Sequence, residues 1–225
     1  MYIPPAFRED DPSILRELMR GAGLANLVTA TAVGPIATPL PLVLAPDEGE
    51  QGVLYGHLAK ANMQWKTPVI GEALALFMGP DAYVTPSWYA AKAEHGKVVP
   101  TWNYVAVHAY GPIEFFEDEA RLLAAVKRVT ELHEGPRTTP WQVSDAPEAY
   151  IESQLRGIVG LRLPITRLEG KRKMSQNRSA ADRIGVAEGL ADSDKATDRL
   201  VAGLIPLDHD EFGLNQPKLI NVIDS

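Results

Sequence analysis

Residues 25–44 read as two short runs of small and β-branched side chains, ANLVTATAV and IATPLPLVL, divided by Gly34-Pro35. That division dictates a hairpin, because the glycine-proline pair ends one strand and the flanking side chains suit a pleated, half-buried surface. The same grammar continues along the chain. Residues 53–58, 73–78, 98–116 and 158–168 read as further strands, with Gly111-Pro112 breaking the longest, which predicts about six strands. Between them come a short helix or turn at 60–70 and a loop from Gly79 to Gly96.

Helices are announced by caps and stripes. Asp11-Pro12 opens one that carries Ile14, Leu15, Leu18 and Met19 on a single face and closes at Gly21. A second spans 117–134, with Leu122, Leu123, Val126, Val129 and Leu132 at helical intervals, a third begins at Pro147, and residues 179–204 look helical. Strands grouped early, with helices between and after them, predict an α+β fold with an antiparallel, barrel-like sheet.

Composition removes whole classes of function. A formal charge of −7 argues against a nonspecific polyanion binder, and the absence of cysteine removes disulfides, thiolate nucleophiles and cysteine-based metal sites. The five histidines, at 57, 95, 108, 133 and 209, form no close ligand pair, so no metal is expected. In Asp208-His209-Asp210-Glu211, successive side chains of an extended chain alternate and do not converge on one ion. There is no Walker A loop, no G-x-S-x-G elbow and no H-E-x-x-H, and Gly21-Ala-Gly23 follows a helix, where a dinucleotide-binding turn would follow a strand. The N-terminus has no signal-peptide pattern and no apolar run approaches the roughly 18 residues of a membrane span, so a soluble, cytoplasmic protein is expected.

Four stretches carry polar or aromatic chemistry. In Thr38-Pro39-Leu40-Pro41 the two prolines strip donors from one side of a strand, which suits either a protected edge or an edge open to a flat ligand or a subunit. GHLAKANMQW, 56–65, gathers His57, Lys60, Asn62, Gln64 and Trp65 at a strand end; a phosphate cradle and a solvated turn are the two readings. Tyr83, Trp88, Tyr89, Trp102, Tyr104 and Tyr110 crowd into 28 residues of a chain that is 7% aromatic, forming either core or dimer packing or a platform for a planar cofactor. KRKMSQNR, 171–178, reads as a solvated loop, as a small-anion or subunit contact, or as a DNA contact, the last undercut by the acidic helices that follow.

In this order, MYIPPAF, GHLAKANMQW, AYVTPSWY, VPTWNY and KMSQNR resemble the PaiB family, described as FMN-binding, split-barrel negative transcriptional regulators, over residues 1–204. The resemblance implies a homodimer of six-stranded antiparallel split β-barrels with flanking helices, related to flavin reductases and pyridoxamine phosphate oxidases, with FMN between the subunits. It divides the chain into a split-barrel domain at 1–170, a basic loop and helical appendage at 171–205, and a tail at 206–225. Thr38, Pro39 and Leu40 would line the flavin ring, and His57, Lys60 and Asn62 would hold ribityl and phosphate with Gln64 and Trp65 beside them. Lys173, Gln176, Asn177 and Arg178 would close the site. Met63 stands where members usually carry proline and Asp81 where histidine is common; the paired arginine-lysine phosphate clamp of the oxidases is reduced to one lysine, which lowers the expected flavin affinity.

Two other functions fit the same scaffold. One is a flavin-dependent oxidoreductase acting on a small substrate, with His57 or Tyr104 as acid–base residue. The other is a haem protein ligated through His57 or His209. DNA enters as a partner through the family resemblance, and no membrane partner is expected.

Overall fold

The computed structural model describes residues 1–207; His209, the Asp208–Glu211 cluster and the rest of the 208–225 stretch lie outside them. Along the chain come β1 (Arg8–Glu9), α1 (Pro12–Gly21), β2 (Ala25–Thr31), β3 (Gly34–Leu40), β4 (Val43–Ala45), β5 (Val53–Ala59) and β6 (Ala73–Val84). They are followed by α2 (Ala90–His95), β7 (Thr101–Gly111), β8 (Glu114–Phe116), α3 (Glu119–Glu134), α4 (Glu148–Leu155), β9 (Ile158–Pro164), β10 (Arg167–Lys173), α5 (Ala180–Ala191) and α6 (Ala196–Leu204). The fold is α+β with antiparallel sheets. Its residues fall into two compact units, one made of Met1–Gly21, Met78–Val107 and the chain from Glu169, the other of Ala22–Phe77 and His108–Leu168.

In the second unit β2 pairs antiparallel with β3 from Ala25↔Leu40 to Thr31↔Gly34, so the expected hairpin is present, but its turn is Ala32-Val33, and Gly34-Pro35, expected as the turn, are the first residues of β3. The other side of β2 pairs with β6, from Ala25↔Phe77 to Val28↔Leu74, which leaves β3 as the terminal strand of its sheet. A four-stranded sheet in the order β4-β5-β9-β8 completes the unit. Along β5, Leu54, Gly56 and Leu58 are buried while Tyr55 and His57, on the opposite face, are half-buried. Gly56 has to be glycine: a Cβ there would lie 2.7 Å from Leu42 Cδ2 and 2.9 Å from the Pro41 carbonyl oxygen. The apolar stripe of α3 packs as its spacing predicts, Leu122 and Ala125 joining Phe116 and Leu155 in a core edged by Leu123 and Val126.

In the first unit the strand order is β1-β10-β7-β6. Asn103, Val105 and Val107 of β7 are buried and Trp102 is exposed, so the small aliphatic face points inward as alternation predicts. Helix α5 lies against the turn Pro86–Trp88 so closely that a Cβ at Gly185 would sit 2.1 Å from the Trp88 carbonyl oxygen.

The structure differs from the expected element map at several places, helix α2 within the expected 79–96 loop among them. Strand β6 runs on to Val84, into the expected loop, because its buried positions change parity across Gly79-Pro80 and the period-2 signal is lost there: Ala73, Ala75 and Phe77 are buried, then Ala82 and Val84. The single run expected over 158–168 is two strands, β9 and β10. In consequence Lys171, Arg172 and Lys173 stand on a strand and not in a solvated loop, and Lys171 and Arg172 are buried. With β1, β4 and β8 also too short to show a period, ten strands are found among the described residues where about six were expected.

Candidate functional site

The second unit holds Thr38, Pro39, Leu40, His57, Lys60, Asn62, Gln64 and Trp65. Strand β3 places Pro35 opposite Ala30 and Pro39 opposite Asn26. Proline has no N–H, so an unbroken ladder to β2 uses the residues between the prolines, and the prolines themselves turn their missing donors to the open edge. Pro39 and Ala37 are exposed and Thr38 is half-buried, whereas Leu40 is buried in the core.

The turn after β5 is bolted to this edge. Asn62 caps the 3-10 turn Met63–Lys66 by accepting from the Gln64 N–H at 2.9 Å, and its side-chain amide donates to the Thr38 hydroxyl at 3.0 Å. Thr38 in turn donates to Gln64 Oε1 at 2.6 Å. The Gln64 amide nitrogen lies 3.2 Å from the Leu27 carbonyl, 3.1 Å from the Thr29 hydroxyl and 3.2 Å from the Ile36 carbonyl. Gln64 is therefore a buried staple across β2 and β3, with its polar atoms spent on the protein.

Exposed Lys60 and half-buried Trp65 form the rim. The Trp65 indole N–H donates to the Lys60 carbonyl at 3.0 Å, and the Lys60 ammonium pairs with Glu117 at 2.6 Å, both charged side chains being about half exposed. Sequence reading missed Glu117. Its only signal is a carboxylate just ahead of the Asp118 cap of α3, and nothing in a linear pattern links that to a lysine 57 positions earlier. His57 stands on the face of β5 opposite Gly56, the face it shares with Tyr55. Burial holds its imidazole below the usual range, and Nδ1 is buried without a hydrogen-bond partner. The neighbouring position on the same face is Tyr55, whose hydroxyl donates to Glu48 and whose ring lies 4.7 Å from the Arg128 guanidinium, itself 2.8 Å from Glu48.

Lys173, Gln176, Asn177 and Arg178 belong to the first unit. Gln176 closes the chain on itself, accepting from the Met174 N–H at 2.7 Å and donating to the Arg172 carbonyl. Ser175 inside that turn has φ of 62°, and its hydroxyl is held by Asn103 at 3.0 Å. Lys173 donates to the Thr101 hydroxyl at 2.7 Å and to the Trp102 carbonyl, Arg178 lies 4.5 Å over the Tyr89 ring, and Asn177 is exposed. Tyr104 packs under Lys171 at 5.0 Å, while Tyr83 and Trp102 meet edge to face at 5.9 Å with both rings about half exposed. Among the described residues no three acidic or histidine side chains are grouped to hold a metal, and no helix is long and apolar enough to cross a membrane.

A protein-family profile described as "Putative FMN-binding domain" matches residues 1–167. The protease synthase and sporulation protein PAI 2 of Bacillus subtilis is 32% identical, across 91% of this chain and 96% of its own. An uncharacterised protein of Emericella nidulans is 36% identical with the same two coverages, 91% and 96%. Among solved structures, the FAD and haem binding protein of Mycobacterium smegmatis superposes with a TM-score of 0.55 at 14% identity, over 79% of this chain and 78% of that one, a likeness of fold.

Proposed function

Because the chain belongs to the PaiB family of FMN-binding split-barrel proteins, we propose that the open edge of β3 receives the flavin and that Lys60 is the counter-charge for its phosphate. The observation that carries this reading is the fixing of the donor-poor edge to the Lys60 turn through Thr38, Asn62 and Gln64. The residues fit the group. The edge is exposed and flat at Ala37 and Pro39, a cation stands at the strand end beside it, and the Trp65 ring offers an apolar flank. Bound FMN would supply redox chemistry and a yellow colour. Gln64 and Asn62 act as positioning residues, and Leu40 supports the strand from beneath.

The wider role follows the family: a homodimeric, cytoplasmic regulator whose ligand occupancy changes the expression of other genes. Burial of Lys171 and Arg172 removes the two strongest phosphate-backbone contacts that the 171–178 segment could offer to DNA, so regulation through a partner or a bound metabolite fits better than direct reading by that run.

The test is titration of FMN and riboflavin into the purified chain, followed by flavin fluorescence quenching. FMN should saturate, and Lys60→Ala should weaken FMN by about 10- to 100-fold, the range for loss of a charge-assisted bond, while leaving riboflavin unchanged. Equal affinity of the two flavins, or no saturable binding of either, would sink the assignment.

A further inference from the structure

Helix α3 brings two opposite charges to one cavity and pairs neither of them. Lys127 and Glu131 stand four residues apart on the helix, a spacing at which an ammonium and a carboxylate are neighbours and commonly meet. Here both residues are exposed, and neither has an ion pair or a side-chain hydrogen bond among the described residues. Both line a cavity of about 450 Å³ beside the C-terminal half of α3. The other charges nearby are already committed. Glu134, on the same cavity, holds the Arg137 guanidinium at 3.1 Å and accepts from the Trp141 N–H at 3.0 Å. Glu131 also borders a second cavity on the β4 side, where the cation is Arg128, but Arg128 pairs with Glu48 at 2.8 Å and lies over the Tyr55 ring.

The rest of the cavity wall is apolar and held in place. The segment that follows α3 brings Pro140, Trp141 and Val143 to it. The Trp141 N–H bond to Glu134 ties this segment to the helix, the Gln142 N–H donates to the Asp145 carboxylate at 2.9 Å, and the Val143 side chain is buried. Trp141 itself remains 47% exposed, so its ring is open to contact. A wall fixed in this way loses little freedom when a ligand arrives, which favours affinity in a small site. The volume falls in the range of small-molecule sites, and so does the make-up, apolar side chains with a few polar groups that set orientation. None of these residues belongs to the β3 edge or to the Lys60 turn.

We infer that this cavity binds a free α-amino acid with an apolar side chain: the carboxylate meets Lys127, the ammonium meets Glu131, and the side chain lies against Pro140 and Trp141. Charge complementarity selects the class. A simple anion is repelled by Glu131 and a simple cation by Lys127, whereas a zwitterion answers both groups and brings no net charge into the site. The two charges of an α-amino acid flank a single carbon, so they fit between side chains rooted one helical turn apart, where Cβ atoms are about 5–6 Å from each other. The apolar wall takes the side chain and keeps water from the ionic contacts, which strengthens them. The cavity acts in this way whether or not flavin occupies the β3 edge.

The test is calorimetric titration of the whole chain with L-phenylalanine, hydrocinnamate and phenethylamine, which share one ring; the second lacks the ammonium and the third the carboxylate. L-Phenylalanine should saturate and bind at least about tenfold more tightly than either analogue, the scale of one charge-assisted contact. Glu131→Gln should erase the advantage over hydrocinnamate while keeping that over phenethylamine, and Lys127→Met should do the reverse. A merely structural role for either residue would not divide the two preferences in this way. Both positions are exposed, so the variants should fold, and unfolding midpoints matching the parent's check that they do. L-Phenylalanine should also change the tryptophan fluorescence of the parent, and Trp141→Phe should abolish that change. FMN quenching should be the same in the parent, Glu131→Gln and Lys127→Met, so failure here and failure of the flavin assignment are told apart. No saturable binding of L-phenylalanine, equal affinity for the three compounds, or preferences that survive both substitutions would overturn the inference.

Discussion

The hydroxyl of Thr38 donates to Gln64 Oε1 at 2.6 Å, and this contact ties an exposed edge strand to the turn that follows β5. We predict that Gln64→Leu destabilises the chain by about 2–4 kcal/mol, since it strands buried acceptors on β2 and β3. Gln64→Glu should be worse, because a carboxylate oxygen would then face the Leu27 and Ile36 carbonyls that now accept from the amide. Urea denaturation of the three proteins checks the order; a glutamate variant as stable as the leucine variant would show that the amide is not the staple.

His57 should make stability depend on mild acidity. Its folded-state affinity for a proton is depressed by burial from the ordinary 6.5, so the unfolded chain binds the proton first as pH falls. Stability is then full above about pH 6.5, declines as pH drops through that value, and stops declining below the folded-state pKa. His57→Gln should flatten this part of the profile. Unfolding midpoints between pH 7.5 and 5 test it, and identical slopes for parent and variant would rule out the imidazole as the source.

Glu117 competes with any anion for Lys60. Removing its charge in Glu117→Gln should tighten FMN binding only modestly, within about fivefold, because a half-exposed ion pair contributes about 1 kcal/mol or less. Fluorescence titration of FMN against riboflavin reads the effect, which should appear for FMN alone. Weaker FMN binding in this variant would mean that Glu117 supports the site.

Gly185→Ala sets two effects against each other. In an exposed helix the change would stabilise by about 1 kcal/mol through propensity. Here the new methyl would meet the Trp88 carbonyl oxygen at 2.1 Å, and forced repacking typically costs about 1–3 kcal/mol, so a net loss is expected. Gly189→Ala, whose methyl would strike the Trp88 indole at 2.3 Å, should behave alike. A rise in unfolding midpoint for either would mean that α5 does not lie against Trp88 as described.

Much of the fold was legible because its signals are local. The small and β-branched runs on either side of Gly34-Pro35 named the β2–β3 hairpin, whose turn falls two residues earlier at Ala32-Val33, and the leucines of 117–134 named the buried face of α3. Where two elements differ by a single turn or a parity change, the linear pattern blurred. Gly79-Pro80 hid the second half of β6, and the short link at Ile165–Thr166 merged β9 with β10. The candidate site was legible as a set of residue types but not as roles. Gln64 looked like a ligand contact and is buried under β2 and β3, with its amide spent on their backbone carbonyls.

What the residues alone determined about this protein is its vocabulary of strands and helices, its family, and the stretches where chemistry collects, because each depends on neighbours within a few positions. Tertiary structure decided which polar groups remain free. Glu117 neutralises Lys60 and Asn103 holds Ser175, pairs that meet only when distant strands and helices pack. That Arg183 is buried with Nε and Nη2 lacking hydrogen-bond partners is equally a property of the packed molecule, for burial gives a charge its electrostatic weight and no count of neighbours along the chain reports burial.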